Sequence, residues 1–332
     1  MKIGSLGFCT HQGIAHIMRD LYRHDLVQRV MVFRHRAYTN LTDVYPTEVC
    51  YKPSEVELFL MGLDALWLIE TDLSHDWMVS RLAKQKGIKL ILSCMYEYSA
   101  FPCPVKPDLV LCPSLLDFDY YKPHYNSVFI PIPVEQPWLL RERALEFVHN
   151  AGHGQWDYAK GTVQLIEAMD HVRSPVTLKI RAQTDDRKMA DLHARYKDHP
   201  RIVWELNPKP EDLYATGDVF INAEKLNGVS LPLQEAWASG LCVVTSARYP
   251  ATTWLPPEPL IPVSRYEKCR IPGGSGIEFD KAVVDPVDVA RVIDGIYNQD
   301  ISRFSLAGRE WAEANSWERL KPVYNQVIAA VL

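Results

Sequence analysis

The residue types richest in chemistry gather in DVFINAEKLNGVSLPLQEAWASGLCVVTS, residues 218–246. A strand ends near Asn222, and a loop carrying Asn227, Gly228 and Val229 follows. Ser230 is an N-cap residue type, and Pro232 suits the first helical turn, where a missing N–H costs little. Gly240 supplies the stop. A helix beginning at Leu231 points its unsatisfied N–H groups and positive dipole end past the strand ends, which is a phosphate site in the making. Glu235, about one turn into that helix, reaches back to accept hydrogen bonds from ligand hydroxyls. Asn227 both donates and accepts, although Asn-Gly is also a turn-forming pair. Lys160 stands at the start of a second helical pattern. A cation there opposes the helix dipole, so the position suits a phosphate ligand better than a structural role. Arg181, at the end of the next strand, is a candidate second positive charge.

Further candidates lie in the first half of the chain. Gly13 closes the turn after the first strand, and His11 and His16 flank it. Glu97 follows the fourth strand, where it either faces an acceptor or is a solvated loop acid. Arg19, Arg23, Arg29, Arg34 and Arg36 form either a solvated face or a patch for an anionic acceptor. The seven cysteines are odd in number, widely spaced and without a C-x-x-C pair, which argues against a disulfide framework and a structural zinc site. The acidic pair Asp117 and Asp119 falls at a helix start. The sequence thus predicts no metal and no cofactor.

These residues need elements to position them. Short apolar runs at 2–8, 30–34, 65–70, 90–94 and 109–113 alternate with helical patterns at 14–22 and 77–87, the arrangement of a parallel sheet covered on both faces. FIPIPVEQPW, starting at Phe129, is too rich in proline for regular helix. The alternation then restarts, with strands at 145–151, 176–182, 202–206, 219–222 and 242–246 and helices at 162–171, 189–197, 210–216, 231–239, 287–298 and 302–314. This predicts an α/β chain of two doubly wound domains, 1–134 and 135–315, with a helix at 316–332 that returns to the first domain. A length of 332 residues fits two cores better than one. The net charge of −5 offers no global attraction to nucleic acid or to an anionic membrane. Residues 1–8 read as a strand and not as a leader, and no apolar run is long enough for a bilayer, so the expected location is cytoplasmic.

Residues 227–240 resemble the signature of glycosyltransferase family 4, E-G-F-G-L-P-L-x-E-A-x-A-x-G. The second Glu of that Glu-x7-Glu motif is Glu235, and the first is replaced by Asn227. AGHGQWDYAKGTVQLIEAM, residues 151–169, is similar to the family segment G-R-x-x-x-x-K-G-x-x-x-L-I-E-A, with Lys160 at the family lysine and Gln155 or His153 near the place of its arginine. NSWERL, beginning at Asn315, resembles the closing helix start, and the first strand and loop resemble the family's glycine-containing turn. The resemblance implies the GT-B fold, two Rossmann-like domains facing a cleft, and mostly retaining chemistry. It gives Glu235 the donor ribose, Lys160 the diphosphate, Asn227 the transferred sugar, and Gly13 a backbone approach to the phosphates. Gly228, Val229, Ser230 and Leu231 complete the expected donor site.

The expected activity is transfer of a hexosyl or pentosyl group from a nucleoside-diphosphate sugar to a hydroxyl on a glycan, lipid-linked or small-molecule acceptor. Alternatives are a viral-type enzyme acting on DNA with hydroxymethylated bases, a non-catalytic nucleotide-sugar-binding module, and a GT-B epimerase.

Overall fold

The computed structural model describes residues 1–7, 13–33, 47–50, 52–152, 159–184, 187–209, 213–271 and 274–332. His11, His153, Gln155, Arg34 and Arg36 lie outside the described residues. The chain divides into two compact units, one of Met1–Pro133, Arg270–Ile277 and Trp317–Leu332, the other of Val134–Cys269 and Glu278–Ser316.

The first unit runs β1 (Ile3–Leu6), α1 (Gly13–Arg23), β2 (Arg29–Phe33), β3 (Thr47–Cys50), α2 (Pro53–Leu60), β4 (Ala65–Ile69), α3 (Met78–Gln85), β5 (Lys89–Ser93), β6 (Leu109–Cys112), α4 (Leu115–Tyr121) and β7 (Ser127–Phe129). The sheet is wholly parallel, in the order β3-β2-β1-β4-β5-β6-β7. Continuous apolar strands such as ALWLI and LVLC are buried along their whole length, as a parallel sheet covered on both faces requires. The order reverses between β1 and β4, so the crevice beyond their carboxyl ends is the switch point of this sheet.

The second unit contains β8 (Phe147–Gly152), α5 (Thr162–Ala168), β9 (Leu178–Ala182), α6 (Arg187–Tyr196), β10 (Ile202–Leu206), β11 (Val219–Asn222), α7 (Leu231–Ala238), β12 (Cys242–Ser246), β13 (Leu260–Ile261), β14 (Arg265–Cys269), β15 (Phe279–Val283), α8 (Pro286–Ile296) and α9 (Ser302–Ala314). Its parallel sheet is ordered β10-β9-β8-β11-β12-β13, with the switch between β8 and β11. An antiparallel pair, β14 and β15, stands apart. Helix α7 is locked over the sheet by three indoles, Trp237, Trp254 and Trp311, whose ring centroids lie 5.4–5.6 Å apart. Gly308 of α9 lets the two helices close up, since a Cβ there would fall 2.2 Å from the Trp237 carbonyl oxygen.

Several expectations differ from what forms. The sequence suggests a helix at 210–216, but the described part, 213–216, is a turn. The edge strands β3, β7 and β13 and the β14–β15 pair were not expected. They are short or exposed, and lack the apolar run that announces a central strand. Among the described residues no helix is long and apolar enough to cross a membrane.

The last helix, α10 (Trp317–Ala329), belongs to the first unit. Trp317, Tyr324 and Ile328 enter the same core as Met18, Trp67 and Leu111. Trp317 stacks on His24, the residue after α1, at 4.2 Å between centroids, and the Tyr324 hydroxyl donates to the Pro131 carbonyl at 3.1 Å. Trp317→Ala should therefore lower stability by about 3–5 kcal/mol, the usual cost of deleting a buried aromatic ring. Urea denaturation followed by circular dichroism measures this, and a loss under about 1 kcal/mol would remove α10 from the core.

Candidate functional site

The chain leaving β8 comes back to the switch point at Lys160 and Gly161. Gly161 has φ +67°, and a Cβ there would sit 2.1 Å from the Ala223 carbonyl oxygen, so only glycine fits. Beside it the Lys225 N–H donates to the Ala159 carbonyl at 2.6 Å. The loops after β8 and β11 are thereby stapled together. Lys160, half-buried between them, donates to the carbonyls of Ala151 at 2.9 Å and Asn150 at 3.4 Å. Gly152 makes room for the ammonium, because a Cβ there would lie 2.7 Å from Nζ. Burial lowers the Lys160 pKa to about 8, with Glu224 and Glu235 acting in the opposite direction.

His149, fully buried in β8, braces this arrangement from beneath. Its Nδ1 lies 3.0 Å from the Ile221 carbonyl and its Nε2 2.8 Å from Thr162 Oγ1. A carbonyl only accepts, so Nδ1 carries the proton and Nε2 accepts from Thr162. Burial, then the charge of Lys160, lowers the His149 pKa to about 3 and keeps the ring neutral.

The loop between β11 and α7 is organised by an acid that sequence inspection passed over. Glu224 is 1% exposed. Its Oε1 accepts from Asn227 Nδ2 at 3.0 Å and Ser230 Oγ at 2.7 Å, and its Oε2 accepts from Arg248 Nη2 at 2.7 Å. Arg248 also donates to the Asn227 carbonyl at 2.7 Å. Asn227 Oδ1 accepts the Ser230 N–H at 2.9 Å, so the Asn227 amide is engaged at both ends within the loop. Ser230 occupies the N-cap position of α7 in a left-handed conformation with φ 55° and makes no side-chain cap. The expected capping is replaced because its hydroxyl turns to Glu224. Pro232 has no N–H, and the N–H groups of Leu233 and Gln234 go to the Ser230 carbonyl, so the start of α7 offers an anion fewer donors than the sequence suggests.

Glu235, partly buried on α7, accepts from the Tyr214 hydroxyl through Oε2 at 2.7 Å. Burial and that carboxylate push the Tyr214 pKa up, which keeps the phenol a donor. Around this edge stand buried polar groups with no hydrogen-bond partner among the described residues: Asn222 Oδ1, Ser246 Oγ and Gln234 Oε1. Asn150 belongs with them, since its amide lies near the Tyr214 hydroxyl but makes no hydrogen bond of good geometry. Buried polar atoms are costly unless satisfied, and a cluster of them at strand ends marks where a polar ligand would bind. Position relative to the strand ends was the signal for Asn150, Asn222, Glu224 and Arg248. Nothing in the sequence singled out Tyr214.

Other candidates fall elsewhere. Arg181 is 1% exposed on β9. Its guanidinium donates to Glu205 at 2.9 Å, to the Leu213 carbonyl and to Thr216 at 2.6 Å. The charge expected to meet a second phosphate is thus committed to anchoring the segment that leads into β11. Gly13 opens α1 and His16 lies partly buried on the same helix, both in the first unit. Glu97 is 4% exposed, so the solvated-acid reading does not hold. Arg29 makes a two-pronged pair with Glu48 at 2.7 and 2.8 Å, and Arg19 pairs with Asp20. These pairs take two cations out of the patch that a DNA acceptor would need.

The chain thus carries two doubly wound parallel sheets, each with its own switch point. The fold is GT-B. The chain is similar over 99% of its length to sucrose-phosphate synthase from Thermosynechococcus elongatus, covering 100% of that chain at 15% identity and TM-score 0.64. It is similar to the Anabaena protein HepE in complex with UDP, with 99% of each chain covered, 14% identity and TM-score 0.67. A glycosyltransferase from Rickettsia africae matches at 11% identity and TM-score 0.69, with 99% of this chain and 98% of that one covered. No protein-family model and no curated protein matches the chain. At these identities the likeness is one of GT-B architecture.

Because native His149 titrates near 3 and a free imidazole near 6.5, its contribution to stability is complete above about pH 6.5 and is lost as pH falls toward 3. Between about pH 8 and pH 5 the loss should be about 2 kcal/mol. Urea midpoints at the two pH values measure it. His149→Gln, which cannot titrate, should flatten that part of the slope, and an unchanged slope would mean that His149 is protonated without cost.

Proposed function

We propose that the protein is a glycosyltransferase that transfers a sugar from a nucleoside-diphosphate donor, bound at the β8–β11 switch point, to a hydroxyl acceptor. The observation that carries this reading is the cluster of buried, unpartnered polar groups beside Lys160 at the carboxyl edge of a GT-B sheet. In this reading Lys160 faces the diphosphate. An ammonium held by two carbonyls in a desolvated place loses little by turning to a better anion, and it stabilises the charge that grows on the leaving diphosphate. Glu235, steadied by Tyr214, accepts from the ribose hydroxyls. Glu224 and Arg248 shape the Asn227–Ser230 loop against which the sugar would lie, so Asn227 acts on the donor through the form of that loop. Similarity to HepE, whose structures hold UDP and UDP-glucose, makes a uridine nucleotide the first donor to try. Retention rests on the sequence resemblance alone, and proton NMR of the product anomer decides it.

Thermal shift with UDP, GDP and ADP and with their common sugars tests the reading, since a ligand of the native state raises Tm. A protein shifted by none of them would not be this enzyme, and one that binds a donor but never hydrolyses or transfers it would be a binding module. Lys160→Ala should weaken nucleotide affinity by about 1.5–3 kcal/mol, roughly tenfold to 150-fold. In the parent, affinity should fall as pH rises through about 8, where the ammonium deprotonates. Glu235→Gln should raise the donor KM with the fold intact. Titration calorimetry on both variants separates the two roles, and normal affinity for free nucleotide in either removes that residue from the donor site.

A further inference from the structure

The first unit also holds a groove at the amino-terminal edge of its sheet. The groove has a volume of about 840 Å³, within the roughly 300–1,000 Å³ of small-molecule sites. Its walls are the segments that lead into β5, β6 and β7, three neighbouring strands, so it opens at the edge opposite their carboxyl ends. The walls are tied to one another. The Tyr125 hydroxyl accepts the Cys103 N–H at 2.9 Å, and Asn126 Nδ2 donates to the Asp108 carbonyl at 3.1 Å. Asp108 Oδ2 accepts the Leu90 N–H at 2.7 Å. Pro104, Pro107 and Pro123 stiffen the same walls. A groove braced in this way exists before any ligand arrives, which lowers the cost of binding.

The groove is positive in a protein whose net charge is −5. Arg81, Lys84, Lys106 and Lys122 line it together with His124, against a single acid, Asp108. Lys84 Nζ donates to Asp108 at 2.7 Å, so that acid is already engaged. Lys84 and Lys122 stand at the C-terminal ends of α3 and α4, where a cation also offsets the helix dipole. Arg81 reaches Asp76, outside the groove, at 3.4 Å. Lys106 has no such occupation. It is exposed between the buried Val105 and Pro107, and it makes no hydrogen bond or ion pair among the described residues. A cleft lined by one sign of charge concentrates counter-ions, and its cations repel one another until an anion joins them. The Gln85 amide and Asn126 Oδ1 also border the groove and make no hydrogen bond among the described residues. They remain for ligand hydroxyls. None of the large exposed apolar side chains among the described residues lies on the groove, so it lacks the apolar anchors of a lipid-binding surface.

We propose that this groove is a second ligand site, for a small phosphorylated and hydroxylated molecule of the sugar-phosphate class. Lys106, Lys122 and Arg81 meet the phosphate oxygens with charge-assisted hydrogen bonds, and Gln85 and Asn126 meet the hydroxyls. The concave, preformed walls suit a free small molecule better than a flat surface. The assignment is independent of the glycosyltransferase reading, because every residue in it belongs to the first unit.

Titration calorimetry of the full-length protein at low salt with ribose 5-phosphate, inorganic phosphate and ribose tests this. The parent should bind ribose 5-phosphate with a Kd below about 1 mM, phosphate more weakly, and ribose not at all. Joint replacement Lys106→Glu and Lys122→Glu should raise the ribose 5-phosphate Kd at least tenfold, with Tm unchanged because both side chains are exposed. Gln85→Ala should weaken ribose 5-phosphate more than inorganic phosphate. Lys160→Ala, in the second unit, should leave the ribose 5-phosphate Kd within twofold of the parent. A parent that does not bind ribose 5-phosphate, or a charge-reversed variant that binds it as the parent does, overturns the assignment. So does loss of binding in Lys160→Ala, which would place the ligand at the donor site. An equal effect of Gln85→Ala on both phosphates would leave a bare anion patch and overturns the sugar-phosphate class. Binding of phosphatidylglycerol vesicles or of a single-stranded oligonucleotide without binding of ribose 5-phosphate would make the groove a lipid or nucleic-acid surface and also overturns it.

Discussion

A neutral imidazole ties together the ground on which the candidate site is built. His149 donates to a carbonyl of β11 and accepts from the first residue of α5, and it does so from within β8. Three elements thus meet at one fully buried ring. Were the ring charged, Nε2 would become a donor, the Thr162 hydroxyl would have to reverse, and a cation would lie unscreened beneath Lys160. The imidazole is therefore kept in a single protonation state and a single tautomer. Lys160, Gly161 and the unpartnered Asn150 all lie within the segment whose two ends it secures.

Above that brace the site is a balance of charge. Lys160 stands among carbonyls and is influenced by two carboxylates, Glu224 and Glu235, neither of which pairs with it directly. Glu224 is neutralised by Arg248, and Glu235 is engaged by a phenol. A buried ion pair such as Glu224–Arg248 is weak evidence for stability, since desolvation offsets most of the attraction. What it supplies is shape: four hydrogen bonds converge on one carboxylate and one guanidinium, and the loop from Asn227 to Ser230 has little freedom left.

The two sheets share a plan. In each, the strand order reverses once, and side chains without an obvious structural partner stand at that reversal: Asn150 and Asn222 at the ends of β8 and β11, Glu70 after β4. Side chains beyond the carboxyl ends of parallel strands face no neighbouring strand, so the fold itself leaves them available to a ligand. The indole cluster over α7 and the close crossing at Gly308 serve the same end from behind, by fixing the helix that carries Glu235.

Much of the fold was legible because a strand buried on both faces needs a continuous apolar run, and an amphipathic helix must show its period. The strands 219–222 and 242–246 and the helix 302–314 form at the predicted residues. The stretch around Glu235 announced a loop-and-helix site for a similar reason: backbone that must turn sharply or approach closely leaves its mark in residue type. The edge strands were not legible, because a short, exposed strand is decided by the neighbour it pairs with. The same holds for side chains. Local order told that Glu235, Lys160 and Asn227 would stand near the strand ends. It did not tell that Arg181 would turn to Glu205, that Ser230 would abandon its cap for Glu224, or that Tyr214 would hold Glu235. Those outcomes depend on partners tens of residues away in the chain, brought together only when the sheets close, and a polar side chain's role is set by which of them arrives.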